Sequence, residues 1–382
     1  MAIYDISPTW RNEVQNKARG AIPTCDNSSI SSDLVAWNQI KTLLEKSQNN
    51  GTSFSKAIVS TYSLVYSTQS YAYSGGVITP NRDVHFIPLF ANRGQKINSS
   101  GLVSTYSLVY TTSGGAYFGG VLDANGDLHF IPSTAAVGQK INSSGVVSTY
   151  SLVYTTAANG GAYWGGVLAP NGDVHFIPYS ASVGQKVSIS GIVSTYSLVV
   201  TLNFAYRGGV LAPNGDVHFI SLSAGRGQKI NSSGVVSTYS LLSPGNYHGG
   251  VLNSNGEIIM IPSGASVGQK ININGGISTY SLVYTLTSDA YHGGVLSPNG
   301  DVHFVPNLAA VGQKISNSGV VSTYSLLYTT TANGGAHEGG VLTPNGDIYF
   351  VPFGAPVGQR ISTLPAKPLN IGLCCSPFLN KS

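Results

Sequence analysis

The chain has 382 residues, of which only 9% are Asp, Glu, Lys or Arg, and its formal net charge is +4. A disordered chain would need many charges and few apolar residues, and a long helical array would be rich in Glu, Lys, Ala and Leu, so this composition excludes both. No apolar run reaches the roughly 18 residues that a membrane-spanning helix needs, so we expect no membrane insertion.

Residues 1–52 differ in composition from the rest of the chain and are expected to form an N-terminal arm. Within the arm, residues 33–47 predict a short helix, because Leu34, Trp37 and Ile40 recur at the spacing of one helical face. We expect the helix either to pack against the following domain or to bind a partner. The first residues lack a basic segment followed by an apolar core, so the sequence predicts no secretory signal.

A repeat fills residues 53–363. The string Ser-Thr-Tyr-Ser-Leu occurs seven times at intervals of 41 to 46 residues, and each copy is followed by Gly-Gly-Val, an Asn-containing turn, a second apolar strand and Gly-Gln-Lys or Gly-Gln-Arg. In the third copy the candidate strands are residues 147–155, 162–168, 173–178 and 185–189. Four short strands in each of seven repeats predict an all-β fold, a seven-bladed β-propeller of four-stranded blades.

The order of the motifs predicts how the ring closes. If the Gly-Gly-Val strand is innermost, each blade runs outwards from it and ends with the Ser-Thr-Tyr-Ser strand. The seventh blade then lacks its outer strand, and the N-terminal strand at Ser60 would supply it, which leaves no free edge inside the ring. The alternative is a ring in which every blade is complete and closure depends on packing alone.

Residues 364–382 are predicted to form an irregular C-terminal strap that contains three prolines. Cys374 and Cys375 lie in this strap, and the third cysteine, Cys25, lies in the arm. Three cysteines at the two ends of a chain are not a disulfide framework. Either all three are free thiols, or Cys25 pairs with one of the other two.

The polar residues of the repeat are expected to be structural. Asp173 and His175 share one face of a strand, a pattern that also occurs in metal sites and acid–base pairs. Two of the seven copies lack the histidine, so we expect instead a hydrogen-bond network between blades, with Ser-Thr-Tyr-Ser hydroxyls such as that of Tyr150. Seven copies of one motif do not supply the distinct roles that catalysis needs, so the sequence predicts no catalytic residue, no metal and no cofactor.

Two sets of charges repeat in step. The Gly-Gln-Lys/Arg motif supplies seven cations, including Lys186, and the second strand or its turn supplies seven acids, including Asp173. Because these fourteen charges sum to zero, we expect them to pair locally. A nucleic-acid surface would show clustered and uncompensated Lys and Arg, so the sequence predicts no nucleic-acid partner.

One position diverges among otherwise similar copies. It is the residue before each Gly-Gly pair, and its seven occupants are Ser74, Phe118, Trp164, Arg207, His248, His292 and Glu338. If the inner-strand assignment holds, these residues lie at one mouth of the channel, where propellers carry binding function. They are either unconstrained surface residues or an asymmetric binding patch. For the patch, our ligand-binding candidates are Phe118, Trp164, Arg207, His248 and His292.

The repeat resembles propeller repeats in structural proteins of large DNA viruses, phages and protists. The resemblance is carried by Gly-Val-Leu-Ala-Pro-Asn-Gly at 166–172, by Phe-Ile-Pro at 176–178 and by the ending Ser-Pro-Phe-Leu-Asn-Lys at 376–381. The motifs of WD40, kelch and sialidase-type propellers are missing. The resemblance implies a non-enzymatic virion or surface component, with no catalytic residues to transfer.

We therefore expect a non-enzymatic scaffold, in a virion or the cytoplasm, whose arm and strap bind protein partners. The alternative is a multivalent lectin that binds glycans between its similar blades, where several weak sites would add avidity. An enzyme that uses the channel is a third hypothesis, and we do not expect it.

Overall fold

A computed structural model of the chain describes residues 58–66, 71–111, 114–155, 160–329 and 334–363. The predicted arm over residues 1–52, its helix at 33–47, the strap at 364–382 and the three cysteines lie outside these ranges. Within them, every regular element is a β-strand, and no helix could cross a membrane. One compact unit spans Val59–Ile361.

The described strands form seven antiparallel sheets of four strands each. The innermost strand of every sheet contacts the innermost strands of both neighbouring sheets, and the last of them, in the seventh sheet, contacts the first. This arrangement closes a ring of seven blades, so the predicted seven-bladed β-propeller is confirmed.

The strands of the seven blades occupy equivalent positions. The inner strands are β2 (Tyr73–Ile78), β6 (Tyr117–Leu122), β10 (Tyr163–Leu168), β14 (Tyr206–Leu211), β18 (Tyr247–Leu252), β22 (Tyr291–Leu296) and β26 (His337–Leu342). The second strands are β3 (Val84–Pro88), β7 (Leu128–Pro132), β11 (Val174–Pro178), β15 (Val217–Ser221), β19 (Ile258–Pro262), β23 (Val302–Pro306) and β27 (Asp347–Pro352). The third strands are β4 (Arg93–Ile97), β8 (Val137–Ile141), β12 (Val183–Val187), β16 (Arg226–Ile230), β20 (Gly268–Ile271), β24 (Val311–Ile315) and β28 (Val357–Ser362). The outer strands are β1 (Ile58–Ser63), β5 (Val103–Ser107), β9 (Val147–Ser151), β13 (Val193–Ser197), β17 (Val236–Ser240), β21 (Ile277–Tyr280) and β25 (Val321–Ser325).

The N-terminal strand completes the seventh blade. Its sheet has the order β1-β28-β27-β26, so the first strand of the chain pairs with the last. The hydroxyl of Tyr62 donates to the carbonyl oxygen of Phe350 at 3.0 Å, and Arg360 Nε donates to the Ser60 hydroxyl at 2.9 Å. Closure by strand exchange is therefore confirmed, and closure by packing alone is not what the ring uses.

The hydrophobic core lies between neighbouring blades. Val121 and Ile131 of the second blade pack against Tyr163 and Phe176 of the third. The second strands are buried along their whole length, as in β11, because a blade lies on each side of them. Their continuous apolar sequences follow from this burial on both faces.

The inner strands begin at one face of the ring, which we call the entry face. Each begins with a buried residue, Tyr in six blades, and then has a β-bulge, as between Tyr163 and Gly166 of β10. The first glycine of each Gly-Gly pair has a positive φ, +77° at Gly165, which favours glycine. A Cβ on Gly165 would lie 3.2 Å from the Cα of Gly208 in the next blade, so these glycines let the inner backbones approach closely.

The turns between inner and second strands lie at the opposite face. The first of them has Arg82 where the other blades have glycine. Arg82 adopts a φ of 69°, in the left-handed region that disfavours a side chain, so this turn is less favourable than its glycine-containing counterparts.

Candidate functional site

Three of the seven divergent residues meet at the entry face, and we call them the axial cluster: His248, His292 and Glu338. His248 Nε2 lies 3.0 Å from Glu338 Oε1, and His292 Nδ1 lies 2.6 Å from Glu338 Oε2. The two imidazole rings stack with centroids 4.0 Å apart and an interplanar angle of 10°. All three side chains are buried.

The ring itself produces this cluster. His248, His292 and Glu338 are the second residues of β18, β22 and β26, which are the inner strands of three consecutive blades. The glycine that follows each of them keeps the backbones close to one another at the axis. Side chains that are about 44 residues apart in sequence therefore converge.

The geometry of the axial cluster suits a metal ion. One ligand atom from each of His248, His292 and Glu338 lies within 4.8 Å of the others. Nε2 of His248 is buried and has no hydrogen-bond partner, so its 3.0 Å contact with Glu338 lacks the alignment of a hydrogen bond.

The two histidines differ in their electrostatic state. Burial, together with the charge of His292, lowers the pKa of His248 to about 4. Burial by itself also lowers the pKa of His292, but the Glu338 carboxylate and Asp289 outweigh it and raise this pKa above its ordinary value. Burial alone would raise the pKa of Glu338, yet the two histidines hold it well below its usual range. Near neutral pH, Glu338 is therefore ionised and His248 is neutral. The raised pKa of His292, with a carboxylate oxygen at each of its ring nitrogens, favours the charged form of this imidazole.

Asp289 lies on the open side of the axial cluster. It is in the connection that leads into β22, its side chain is 45% exposed, and its Oδ1 lies 3.0 Å from His292 Nε2. The hydrogen bond from His292 lowers the pKa of Asp289 against the opposing effect of burial. Asp289 thus fixes the ring of His292 and directs Nδ1 of this ring towards Glu338.

Aromatic side chains occupy the other side of the axis. Phe118 and Trp164 stack with centroids 3.6 Å apart, and the guanidinium carbon of Arg207 lies 4.0 Å from the centroid of Trp164. The Trp164 ring meets the ring of His248 edge-on at 5.6 Å. The five ligand-binding candidates therefore form one continuous group around the axis.

The repeated polar residues lie elsewhere, within single blades. Lys186 Nζ is 2.6 Å from Asp173 Oδ2, and His175 Nδ1 is 3.3 Å from the hydroxyl of Tyr196 in the same blade. The hydroxyl of Tyr150 lies 3.2 Å from His129 Nδ1, again within one blade. We expected these contacts between blades. They form within a blade because the histidine on the second strand reaches across the third strand to the tyrosine on the outer strand.

Two residues of the site were not among the sequence-based candidates. Glu338 was identified at the divergent position but was not chosen, although it is the only acid among the seven residues there. Asp289 is one of the few charged residues of the repeats that lie outside the repeated acid–lysine pairs. In a chain so poor in charge, an acid at a position that is otherwise aromatic, basic or polar was the available signal.

Several solved structures share this architecture. A streptogramin B lyase matches with a TM-score of 0.67 and 17% identity, over 80% of this chain and 97% of its own. Virginiamycin B lyase from Staphylococcus aureus matches with a TM-score of 0.70 and 16% identity, over 81% of this chain and 100% of its own. A catalytically inactive histidine-to-alanine variant of that lyase, with quinupristin, also matches at 0.70, with 15% identity over 81% of this chain and 100% of its own. At these identities the likeness shows the fold. No family model and no curated protein matches the chain.

These structures correct our functional expectation. We predicted a non-enzymatic virion or surface scaffold, with a lectin as the alternative, and both are wrong: the matched structures described above are lyases, not viral repeat proteins. We had inferred that seven copies of one motif cannot provide distinct catalytic roles. This inference concerned only the repeated positions. The divergent position supplies different residues, and the ring brings them together.

Proposed function

We propose that the chain is an enzyme of the lyase class and that the axial cluster is its reaction centre, where it holds a divalent metal ion. A single observation carries the proposal: two imidazoles and one carboxylate from three blades converge, buried, within 4.8 Å. Buried polar groups of this kind are costly unless they are paired or bind a ligand. They cluster at functional sites more often than elsewhere.

The ligand set indicates the class of metal. Two imidazole nitrogens and one carboxylate oxygen suit Zn²⁺, Mn²⁺ and similar first-row ions. His292 would bind through Nδ1, because its other ring nitrogen contacts Asp289 at 3.0 Å. A carboxylate on the second nitrogen of a ligating histidine is a common feature of metal sites. The ion would displace the proton from His292 and meet the unpartnered Nε2 of His248.

The reaction class rests on chemistry and on analogy. A divalent ion at this place would polarise an oxygen of the substrate and acidify a neighbouring C–H bond, which assists elimination. Glu338 would keep the centre close to charge balance, and the packed rings of His248 and Trp164 would keep water away. The lyases among the solved structures support this class by analogy of fold alone, since proteins named as lyases have the same architecture.

The proposal is tested by metal binding and by turnover together. After dialysis against Mn²⁺ or Zn²⁺, we expect one tightly bound ion per chain by elemental analysis. With the ion bound, we expect the full chain to convert quinupristin or virginiamycin B, the compounds in the names of the matched structures. Mass spectrometry would show product masses that sum to the mass of the substrate, without the added water of a hydrolysis.

Glu338→Gln is the decisive variant and Glu257→Gln is its control. Glu257 is a carboxylate that pairs with Lys270 away from the axis, at 2.7 Å. We expect Glu338→Gln to lose the ion and to lower turnover about 100-fold, a typical effect of removing such a group. Glu257→Gln should keep both. A folded chain that binds no ion and leaves both compounds intact would refute the proposal.

A further inference from the structure

We infer that Arg207, Trp164 and Phe118 form a carboxylate-binding subsite beside the axial cluster, and that it takes a molecule that carries a carboxylate and an aromatic ring. The inference deepens the proposed function: that the bound molecule is then converted at the axial cluster rests on that function. Binding at the subsite does not itself require the metal.

Arg207 is held in one orientation by aromatic rings. Its guanidinium carbon lies 4.0 Å from the centroid of Trp164 and 5.4 Å from that of Tyr179. Its Nη2 donates to the Tyr179 hydroxyl at 3.3 Å. Only 15% of its side chain is exposed. A guanidinium that is fixed in this way loses little conformational freedom when it binds an anion.

Within the described residues, Arg207 has one ion pair, and it is a long one. Asp289 Oδ1 lies 3.9 Å from Arg207 Nη1 and is shared with His292 at 3.0 Å. Glu338 is engaged by the two histidines of the axial cluster. The Nε atom of Arg207 is buried and has no hydrogen-bond partner. A buried and unpaired N–H is costly, and a ligand carboxylate that bound to the planar fork of the guanidinium would satisfy it.

The aromatic pair next to Arg207 provides the second part of the subsite. Phe118 and Trp164 stack at 3.6 Å, and both remain partly exposed. Because Phe118 and Arg207 both lie within 4.0 Å of the Trp164 ring, they must cover opposite faces of it. A ligand ring can therefore pack against the exposed edges of the pair, where edge-to-face aromatic contacts add to the gain from burying apolar area.

The position of the subsite links it to the reaction centre. Arg207 approaches Asp289, and Asp289 contacts His292 of the axial cluster. A carboxylate on Arg207 would thus hold the rest of the molecule next to the two histidines. For an elimination reaction, this would place the carbon atoms adjacent to the carboxylate near the centre.

The test measures binding to the full chain by isothermal titration calorimetry, with and without Mn²⁺. The probes are 3-phenylpropanoate, its uncharged amide and acetate. We expect 3-phenylpropanoate to bind about ten-fold more tightly than the amide, because a charge-assisted hydrogen bond is lost, and more tightly than acetate, because the ring contact is lost. Arg207→Met should remove the preference for the acid over the amide.

Two further variants separate the subsite from general effects. Arg207→Lys keeps the charge but lacks the planar fork, so we expect intermediate binding from it. Arg93→Met removes an exposed cation at the start of β4 and should bind as the native chain does. Equal binding of acid and amide by the native chain, or an unchanged preference in a folded Arg207→Met chain, would overturn the inference. If the inference is overturned but Arg207→Met still binds the metal, the proposed function is unaffected. If the native chain binds the acid but no metal, the subsite is supported and the proposed metal centre is not.

Discussion

At the scale of the residue, the same position in different blades shows what a single side chain contributes. His85, His175, His218 and His303 are buried on the second strands, and burial, aided by the nearby lysine, lowers the pKa of each to about 4. Blade five has Ile259 at this position. There the Tyr280 hydroxyl donates to the carbonyl oxygen of Met260 at 3.0 Å, so the tyrosine is satisfied without the histidine.

These buried histidines predict acid sensitivity. An unfolded histidine titrates near 6.5, so the unfolded chain binds more protons than the folded chain between pH 6.5 and 4. The free energy of unfolding should therefore fall as the pH falls through this window, by at most about 3 kcal/mol for each such histidine. His175→Ile introduces the residue that blade five has at this position. It should reduce the acid-induced fall in the free energy of unfolding by about the contribution of one histidine. Urea unfolding at pH 7 and pH 4.5 would measure it, and an unchanged pH dependence in the variant would contradict the burial of a neutral His175.

At the scale of the element, the inner strand depends on close approach as well as on backbone conformation. Gly165 of β10 and Gly191 of the turn before β13 have similar φ values, +77° and +82°. A Cβ on Gly165 would meet the Cα of Gly208 at 3.2 Å, whereas a Cβ on Gly191 would meet no atom within 4 Å. The two glycines thus share a left-handed backbone conformation and differ in how crowded their surroundings are.

Alanine substitutions should separate the two effects. We expect Gly191→Ala to cost about 1–2 kcal/mol from the left-handed backbone alone. Gly165→Ala should cost about 1–3 kcal/mol more, because the methyl group forces two inner backbones apart. Thermal and urea unfolding of both variants would measure the difference. Equal losses in the two variants would mean that the inner backbones can separate without cost.

The third strands show why boundaries were harder to predict than strand existence. We placed the third strand of the third repeat at residues 185–189, and it is Val183–Val187. Gly184 reads as a turn residue in the sequence. In the blade it pairs with Tyr196, and a Cβ on Gly184 would lie 2.1 Å from an atom of the Tyr196 ring. The glycine is thus a strand residue that makes room for a tyrosine ring, which no local pattern reveals.

At the scale of the whole molecule, the ring depends on one strand from the opposite end of the chain. Without β1, the third strand β28 of the last blade would have a free edge, and the Tyr62 ring would no longer cover Gly358. The free edge of a sheet promotes pairing with other chains. Closure therefore affects both stability and the tendency to aggregate.

Two truncations test this closure. A chain that begins at residue 68 lacks β1, and a chain that begins at residue 53 keeps it. We expect the shorter chain to melt at least about 10 °C lower, since a loss of several kcal/mol lowers the melting temperature by roughly 2–4 °C per kcal/mol in domains of 150–250 residues. The chain from residue 53 should melt close to the native temperature. Similar melting of the two truncated chains would show that β1 does not close the ring.

The fold was predictable because its signals are local and repeated seven times. Short apolar strands, Asn-Gly turns and a period near 44 residues each limit the architecture, and the incomplete order of the last repeat predicted how the chain closes the ring. The repeated Asp–Lys pairs were also predictable, because the Asp and the Lys recur at a fixed separation in each repeat. None of these predictions required information about contacts between particular blades.

The candidate site was decided only by the tertiary structure. His248, His292 and Glu338 precede the same Gly-Gly-Val-Leu string in three successive repeats, but nothing in that string shows that their side chains meet. Their distances, and the opposite pKa directions of the two histidines, arise because seven inner strands meet at one axis and exclude water there. The local sequence pattern determines where strands form, because strand formation depends on residues that are close in sequence. The chemistry of the axis depends on contacts between blades that only the closed ring creates.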